Sequence, residues 1–335
     1  MEKSNSIIHV ILTGGVGSRL WPLSRKSQPK QYLEIFDGKS LFEMTVERNS
    51  HLADKVMVVG NVDNHHLSGK VMDKTQTAYL NIVEATPRNT AAAIAFAAFA
   101  SNRDDVLIVT PSDHIIGKEE DYYKAINEAI SKANEGFIVT FGIIPTKPET
   151  GYGYIESKGD KVLSFREKPN ETTAKDFIAR GNFLWNSGMF CFKAGVFLDE
   201  LKQFQSDVYE KSKLVWESSE KGFLDLNSSL EIPSISIDYA VMERSKKIKV
   251  VPASFSWSDL GSFESVYEYL VSKGHYIDAN GNMVIGCENH TTFLGLKNTI
   301  FVHTNDANLI LQKESSQDVK DIYNELEKQN SNLLN

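Results

Sequence analysis

Ile7–Gln31, IIHVILTGGVGSRLWPLSRKSQPKQ, decides the fold. Ile7, Ile8, Val10, Ile11 and Leu12 form the near-continuous apolar run of a parallel strand buried on both faces. Gly14, Gly15 and Gly17 then impose a tight, exposed loop. Such a loop, lying after a strand and before a helix, can aim several backbone N–H groups at one phosphate chain. Arg19 and Lys30 supply positive charge, and two cations so placed suit a position astride phosphates better than a core. The plainer alternative is a solvated loop with ordinary surface cations. Two common owners of such a loop are excluded by spacing. The dinucleotide pattern GxGxxG fails because Gly15-Val16-Gly17 runs into Ser18-Arg19-Leu20. The Walker pattern fails because Leu33 stands where Gly38-Lys39-Ser40 would need a preceding glycine.

The rest of the chain bounds the class. Its 335 residues can bury a large core and carry one big domain plus a small one. Hydrophobic content of 41% and charged content of 24% are those of a soluble globular protein. The net charge of -8 gives no reason to expect a nucleic-acid partner. Cys191 and Cys287 lack metal-like spacing and are expected to be reduced thiols. The leader MEKSNS is too short and polar for a signal peptide, and the longest apolar run, Ala91 to Ala100, reads as a buried helix. The expectation is a cytoplasmic protein with no membrane segment.

Strands are expected at Lys55–Val59, Asn81–Glu84, Val106–Val109 and Phe137–Phe141. Between them lie a helix over Leu41–Asn49 capped by Ser40 with Glu43, a polar helix or loop over Asn61–Lys70, an alanine-rich helix capped by Asn89 or Thr90, and a helix over Glu119–Asn134. This alternation means an α/β fold, Rossmann-like, with a mixed and mainly parallel sheet. After Gly142 the pattern turns to antiparallel strands, then to a strand over Phe183–Phe192 interrupted at Asn186-Ser187-Gly188. Helices follow at Ala194–Lys202 and Val208–Ser218, a short helix within Ser234–Glu243, and another at Ser262–Leu270. From Tyr276 onward short β-rich pieces separated by polar turns predict stacked strands, a small β-helix or sandwich, ending in a helix over Ser316–Lys328. The domains expected are 1–270 and a small β-rich domain, 271–335, whose exposed edges favour pairing with a second copy as a homodimer.

Asp113 falls where a strand of the sheet reaches its C-terminal edge, a place where carboxylates hold Mg²⁺ bound to substrate phosphates. The plainer reading is an Asx turn or helix cap. A second carboxylate, Asp259 in Trp257-Ser258-Asp259-Leu260-Gly261, strengthens the metal reading. His114 reads as structural, and no other histidine has ligand spacing.

Taken in order, ILTGGVGSRLWPLSR, PKQ at 29–31, TPRNTAAAIA at 86–95 and TPSDHII at 110–116 resemble the sugar-nucleotide pyrophosphorylases. FGIIPTKPETGYGYIE at 141–156, FREKP at 165–169, LWNSGMF at 184–190, SISIDYAVME at 234–243 and WSDLGSF at 257–263 narrow the resemblance to the bacterial mannose-1-phosphate guanylyltransferases. Thr13 stands where alanine is usual and Arg166 where valine is; neither removes a charge or glycine the chemistry uses. The resemblance implies that Leu12, Gly14, Gly15, Gly17 and Ser112 contact the nucleotide, with Arg19 and Lys30 on its phosphates. It places Arg88, Asn89 and Thr90 near the base, Glu167 on mannose hydroxyls and Lys168 on the sugar phosphate. Asn186 and the Gly151-Tyr152-Gly153 turn complete the sugar pocket, and Asp113 and Asp259 form the metal pair.

The implied reaction joins GTP and mannose 1-phosphate to give GDP-mannose and pyrophosphate. A phosphate monoester is largely dianionic near pH 7 and can attack the α-phosphorus without a protein base. Arg19, Lys30, Asp113, Lys168 and Asp259 would carry catalysis with Mg²⁺. The alternatives are another sugar 1-phosphate or NTP, or a regulatory relative without catalysis. A bifunctional form that also isomerises mannose 6-phosphate would need a further metal-binding domain with a histidine-rich cluster.

Overall fold

The computed structural model describes residues 5–34 and 38–335, so the start of the polar leader lies outside the described residues. By its packing the chain divides into two units, each assembled from separated stretches. The first takes residues 1–14, 45–112 and 116–257; the second takes residues 15–44, 113–115 and 258–335.

Among the described residues of the first unit, nine strands form one sheet. In chain order come β1 (Ile7–Thr13), β2 (Lys55–Asn61), β3 (Tyr79–Glu84) and β4 (Val106–Pro111). After the short β5 (Ile115–Gly117), which stands apart, follow β6 (Ile138–Ile143), β7 (Tyr154–Lys158), β8 (Lys161–Arg166), β9 (Phe183–Lys193) and β10 (Ile248–Ala253). Their order across the sheet is β3-β2-β1-β4-β9-β6-β10-β8-β7. The apolar run of β1 lies at its heart, parallel to β2 on one side and β4 on the other. The chain builds outward from β1 to β3 and then returns to place β4 on β1's other flank. The strand order thus reverses at β1, the kind of switch point beside which open α/β sheets bind ligands at the C-terminal ends of their strands. The antiparallel strand β9 separates β4 from β6.

Several expected elements recur with the same bounds, among them Leu41–Asn49, where the Glu43 N–H donates to Ser40 Oγ at 3.1 Å, and Glu119–Asn134. Three expectations are corrected. The glycine loop leads only into a 3-10 turn, Ser18–Leu20, because Pro22 and Pro29 cannot continue a helix. The alanine-rich helix has Arg88 rather than Asn89 or Thr90 at its N-cap, and that cap makes no side-chain bond. Strand β9 runs unbroken through Asn186-Ser187-Gly188; it absorbs the irregularity as a register shift opposite Thr140 and Gly142. The helix Leu226–Leu230 and β5 were not anticipated.

Beside β1 lies a buried polar network. His9 Nε2 sits 2.8 Å from Thr110 Oγ1 and 3.3 Å from the Asn49 amide nitrogen, and the Tyr122 hydroxyl donates to Asn49 Oδ1 at 2.8 Å. Burial, helped by the Arg48 charge, pushes His9 down to about 3, so the imidazole is neutral and its Nε2 accepts the amide N–H.

The second unit has its own apolar cluster. Leu20, Trp21 and Leu41 pack there with Phe263, Ile300, Val302 and Leu334. Within it Met283–Ile285 runs parallel to Thr299–His303, which pairs antiparallel with Asn308–Gln312. The closing helix is Val319–Lys328. No helix among the described residues is long and apolar enough to cross a membrane.

Asn49→Leu would leave the Tyr122 hydroxyl and His9 Nε2 each short of a partner. We expect it to lower the unfolding free energy by about 2–3 kcal/mol. Urea denaturation followed by circular dichroism reads this directly; an unchanged midpoint would show that the network contributes nothing.

Candidate active site

In the first unit, β1 and β4 end side by side, with Leu12 opposite Pro111 and the Ser112 N–H donating to Leu12 O at 3.1 Å. Gly14 is exposed just beyond, and no atom would obstruct a Cβ there, so its backbone is open to a ligand. Thr13 lies level with Gly60, and Gly60 with Val83, which puts Glu84 at the same edge of the sheet.

The second unit holds Gly15, Gly17, Arg19, Lys30, Asp113 and Asp259. Gly15 and Gly17 have φ of 82° and 78°, values that favour glycine. A Cβ on Gly17 would come within 2.6 Å of Lys30 Cβ, so the loop closes onto Lys30. The Lys30 side chain is 7% exposed, and its ammonium is 2.8 Å from Asp113 Oδ2 and 2.5 Å from Asp259 O. Leu260 O lies at 3.5 Å. Leu260 is fully buried with φ of 44°, a left-handed conformation unfavourable for leucine, and the turn is held by the Gly261 N–H on Asp259 Oδ1 at 3.0 Å. Burial raises the Asp113 carboxyl, but the charges of Lys30 and His114 outweigh it and hold the group below the usual carboxylate range. Three expected residues thus meet at one ammonium. Arg19 is half-buried in the 3-10 turn.

A second group of expected residues lies in the first unit. The Asn186 N–H donates to Gly153 O at 2.8 Å, and Asn186 Oδ1 accepts from Thr140 Oγ1 and the Gly188 N–H at 3.2 and 3.1 Å. A Cβ on Gly153 would meet Glu167 Oε2, so the glycine leaves room for that carboxylate where it lies. Lys168, with φ of 44°, keeps its ammonium 3.3 Å from Glu167 and largely exposed. The Asn186 amide donates to Asp238 Oδ1 at 2.9 Å. Burial, then the neighbouring Glu167, push Asp238 up to about 6. Asp238 opens a π-helical turn, Asp238–Met242, and was not singled out from the sequence although it sits within SISIDYAVME.

Arg88, Asn89 and Thr90 lie at the start of the alanine-rich helix. Arg88 Nε donates to Ile232 O at 2.6 Å, and the Ile237 N–H donates to Thr90 Oγ1 at 2.9 Å. Asn89 is left-handed, φ 69°, with its side chain accepting from the Thr90 N–H. Glu84 is a second residue that sequence reasoning missed. It is 7% exposed, and among the described residues its Oε1 has no hydrogen-bond partner. Burial pushes it up to about 7 against the Arg88 backbone N–H, which favours the charged form. An acid closing a β-strand was the available signal, two residues before the TPRNT motif.

Residues 8–273 match the Nucleotidyl transferase family, and residues 275–326 match the MannoseP isomerase/GMP-like beta-helix domain. The chain is 37% identical to the mannose-1-phosphate guanylyltransferase of Salmonella muenchen over 98% of its own length and 75% of that protein's. It is also 37% identical to the alginate biosynthesis protein AlgA of Pseudomonas aeruginosa, over 96% of this chain and 73% of that one. Among solved structures, the mannose-1-phosphate geranyltransferase of Thermus thermophilus superposes with a TM-score of 0.82 at 28% identity, covering 96% of this chain and 99% of that one. The chain belongs to the nucleotidyl transferase family and is an enzyme of the group whose relatives carry the name mannose-1-phosphate guanylyltransferase. Its C-terminal part is a β-helix-like domain.

Glu84 binds its proton more tightly in the folded chain than in the unfolded one. Its stabilising contribution is therefore full below about pH 4.5 and lost as pH rises through about 7, roughly 3 kcal/mol in all. Asp238 has the same sign, lost as pH rises through about 6. Neutral His9 acts in the opposite sense up to about pH 6.5, so the assignment is read as a difference: between pH 5 and 7.5 the ligand-free protein should lose more stability than Glu84→Gln does. Chemical denaturation across this range checks it; an identical slope in the variant would contradict the assignment to Glu84.

Proposed function

We propose that this enzyme transfers GMP from GTP to α-D-mannose 1-phosphate, releasing pyrophosphate and forming GDP-mannose. The observation that supports it most is the switch point at the ends of β1 and β4. There an open glycine backbone and the Ser112 turn stand at the C-terminal ends of the two strands where the strand order reverses. The names of the relatives supply the substrates.

In this reading Leu12, Gly14, Gly15, Gly17 and Ser112 meet the nucleotide through the backbone, and Arg19 and Lys30 offset charge on its phosphates. Guanine presents N1–H and a 2-amino group as donors. In this reading Arg88, Asn89 and Thr90 approach the base, which needs acceptors for those donors. Glu167, Asn186 and the Gly153 carbonyl face sugar hydroxyls, with Lys168 on the sugar phosphate. The phosphate oxygen of mannose 1-phosphate bonds to the α-phosphorus, and the bond to the β-phosphate oxygen breaks in line. The protein's contribution is alignment of two polyanions and compensation of charge.

Among the described residues no group of three or more His, Cys, Asp and Glu could hold a metal unaided. The Asp113 carboxyl, held in its charged form, and the Asp259 carboxyl nevertheless offer the hard oxygen donors that Mg²⁺ takes together with substrate phosphates, so the residues fit it. When bound there, the ion would draw charge from the reacting phosphates. Residues 1–270 carry the chemistry in this reading, and residues 271–335 pair two copies as a homodimer.

Pyrophosphate release from a panel of NTPs against sugar 1-phosphates tests the substrates. GTP with mannose 1-phosphate should exceed every other pair in kcat/KM by at least about tenfold. A different leading pair would keep the reaction and overturn the substrates. Asp259→Ala should cut kcat by about a hundredfold or more while GTP binding changes far less. Wild-type turnover in that variant would sink the metal assignment.

A further inference from the structure

We infer that the C-terminal tail positions the nucleotide loop, with Asp306 and the Leu333–Leu334 main chain as positioning groups for the segment from Gly15 to Lys30. This rests on the assignment of that segment to the triphosphate.

The contacts run in an unbroken series through the second unit. At the outer end, Trp21 Nε1 donates to Leu333 O at 3.0 Å and the Lys26 N–H to Leu334 O at 2.8 Å. Arg25 Nη2 donates to Asp306 Oδ1 at 2.8 Å, and Lys26 Nζ pairs with Glu327 at 2.8 Å. Arg25 is 8% exposed, and its guanidinium lies 5.7 Å from the centre of the Trp21 ring. Its Nη1 turns inward to Pro22 O at 2.5 Å. Ser24 Oγ then donates to Gly17 O at 2.7 Å, and the Lys30 N–H donates to Val16 O at 3.1 Å. The last link is Lys30 itself, on Asp113 and Asp259.

A loop with three glycines in four residues is expensive to order, and the cost reappears in ligand affinity unless something has ordered it beforehand. Trp21 and Arg25 are poor candidates for simple surface residues. Each is buried, and each commits its polar atoms to the tail or to the loop's own carbonyls. At Leu333 and Leu334 the acceptors are backbone carbonyls, which fix the loop without demanding any particular side chain there. The tail is then a working part of the nucleotide site, and loosening it should act on GTP while sparing the sugar phosphate.

The Asp306→Ala variant tests this, with hydrogen exchange over residues 15–30 and steady-state kinetics as paired readouts. We expect faster exchange there, a KM for GTP raised about tenfold, an unchanged KM for mannose 1-phosphate, and wild-type values in Asp306→Glu. Trp21→Phe, which deletes the N–H donor to Leu333 and trims the ring but keeps Asp306 in place, should move both readouts the same way by a smaller factor. Exchange unchanged in both variants, or faster exchange with unaltered GTP kinetics, overturns the inference. If GTP adds no protection to residues 15–30 of the unmodified chain, the triphosphate assignment fails first. The tail variants would still loosen the segment in that case, so the two failures are distinguishable.

Discussion

The Lys30 ammonium is the interaction on which the second unit depends. A cation this deeply buried must be paired, because an isolated charge out of water costs far more than any single contact returns. Its partners come from two distant stretches, the Asp113 carboxylate and the carbonyls of Asp259 and Leu260. Satisfying one ammonium therefore draws residues near 30, 113 and 259 into a common body, which is how the packing divides the chain. Leu260 adopts a left-handed backbone in a fully buried place, and the geometry that costs it is the one that turns two carbonyls toward Lys30. In the proposed reaction the same ammonium is available to phosphate oxygens, so the ligand-free pairing keeps the cation in position.

Much of the first unit was legible because its signals are local. The apolar run of β1, the Ser40 cap with its Glu43 partner and the helical period of Glu119–Asn134 each act within a few residues, and the elements appear with those bounds. The glycine loop was legible as a tight, exposed turn for the same reason. Its continuation as a helix was misjudged because Pro22 and Pro29 outweigh the expectation carried by the strand–loop–helix pattern.

What escaped the sequence depends on burial and on pairings far apart in the chain. Glu84 looks like any strand-ending acid until its surroundings show a carboxyl shut away from water with an unbonded oxygen. Asp238 likewise becomes distinctive only beside Asn186 and Glu167. From sequence, Lys30 and Asp113 read as separate ligands, one for phosphate and one for metal, with no hint that they hold each other. The links from Leu333 and Leu334 to the loop run through main-chain carbonyls, and no residue type announces those.

Steady-state comparison of the unmodified enzyme with Lys30→Met, at varied GTP and fixed mannose 1-phosphate, tests the role of this ammonium most directly. If Lys30 meets the triphosphate, kcat/KM for GTP falls by about a hundredfold or more in folded protein, on the scale of losing a charge aimed at a reacting phosphate, and if it also ties the second unit together the variant unfolds at lower urea. A folded variant that turns over GTP at the unmodified rate would contradict it.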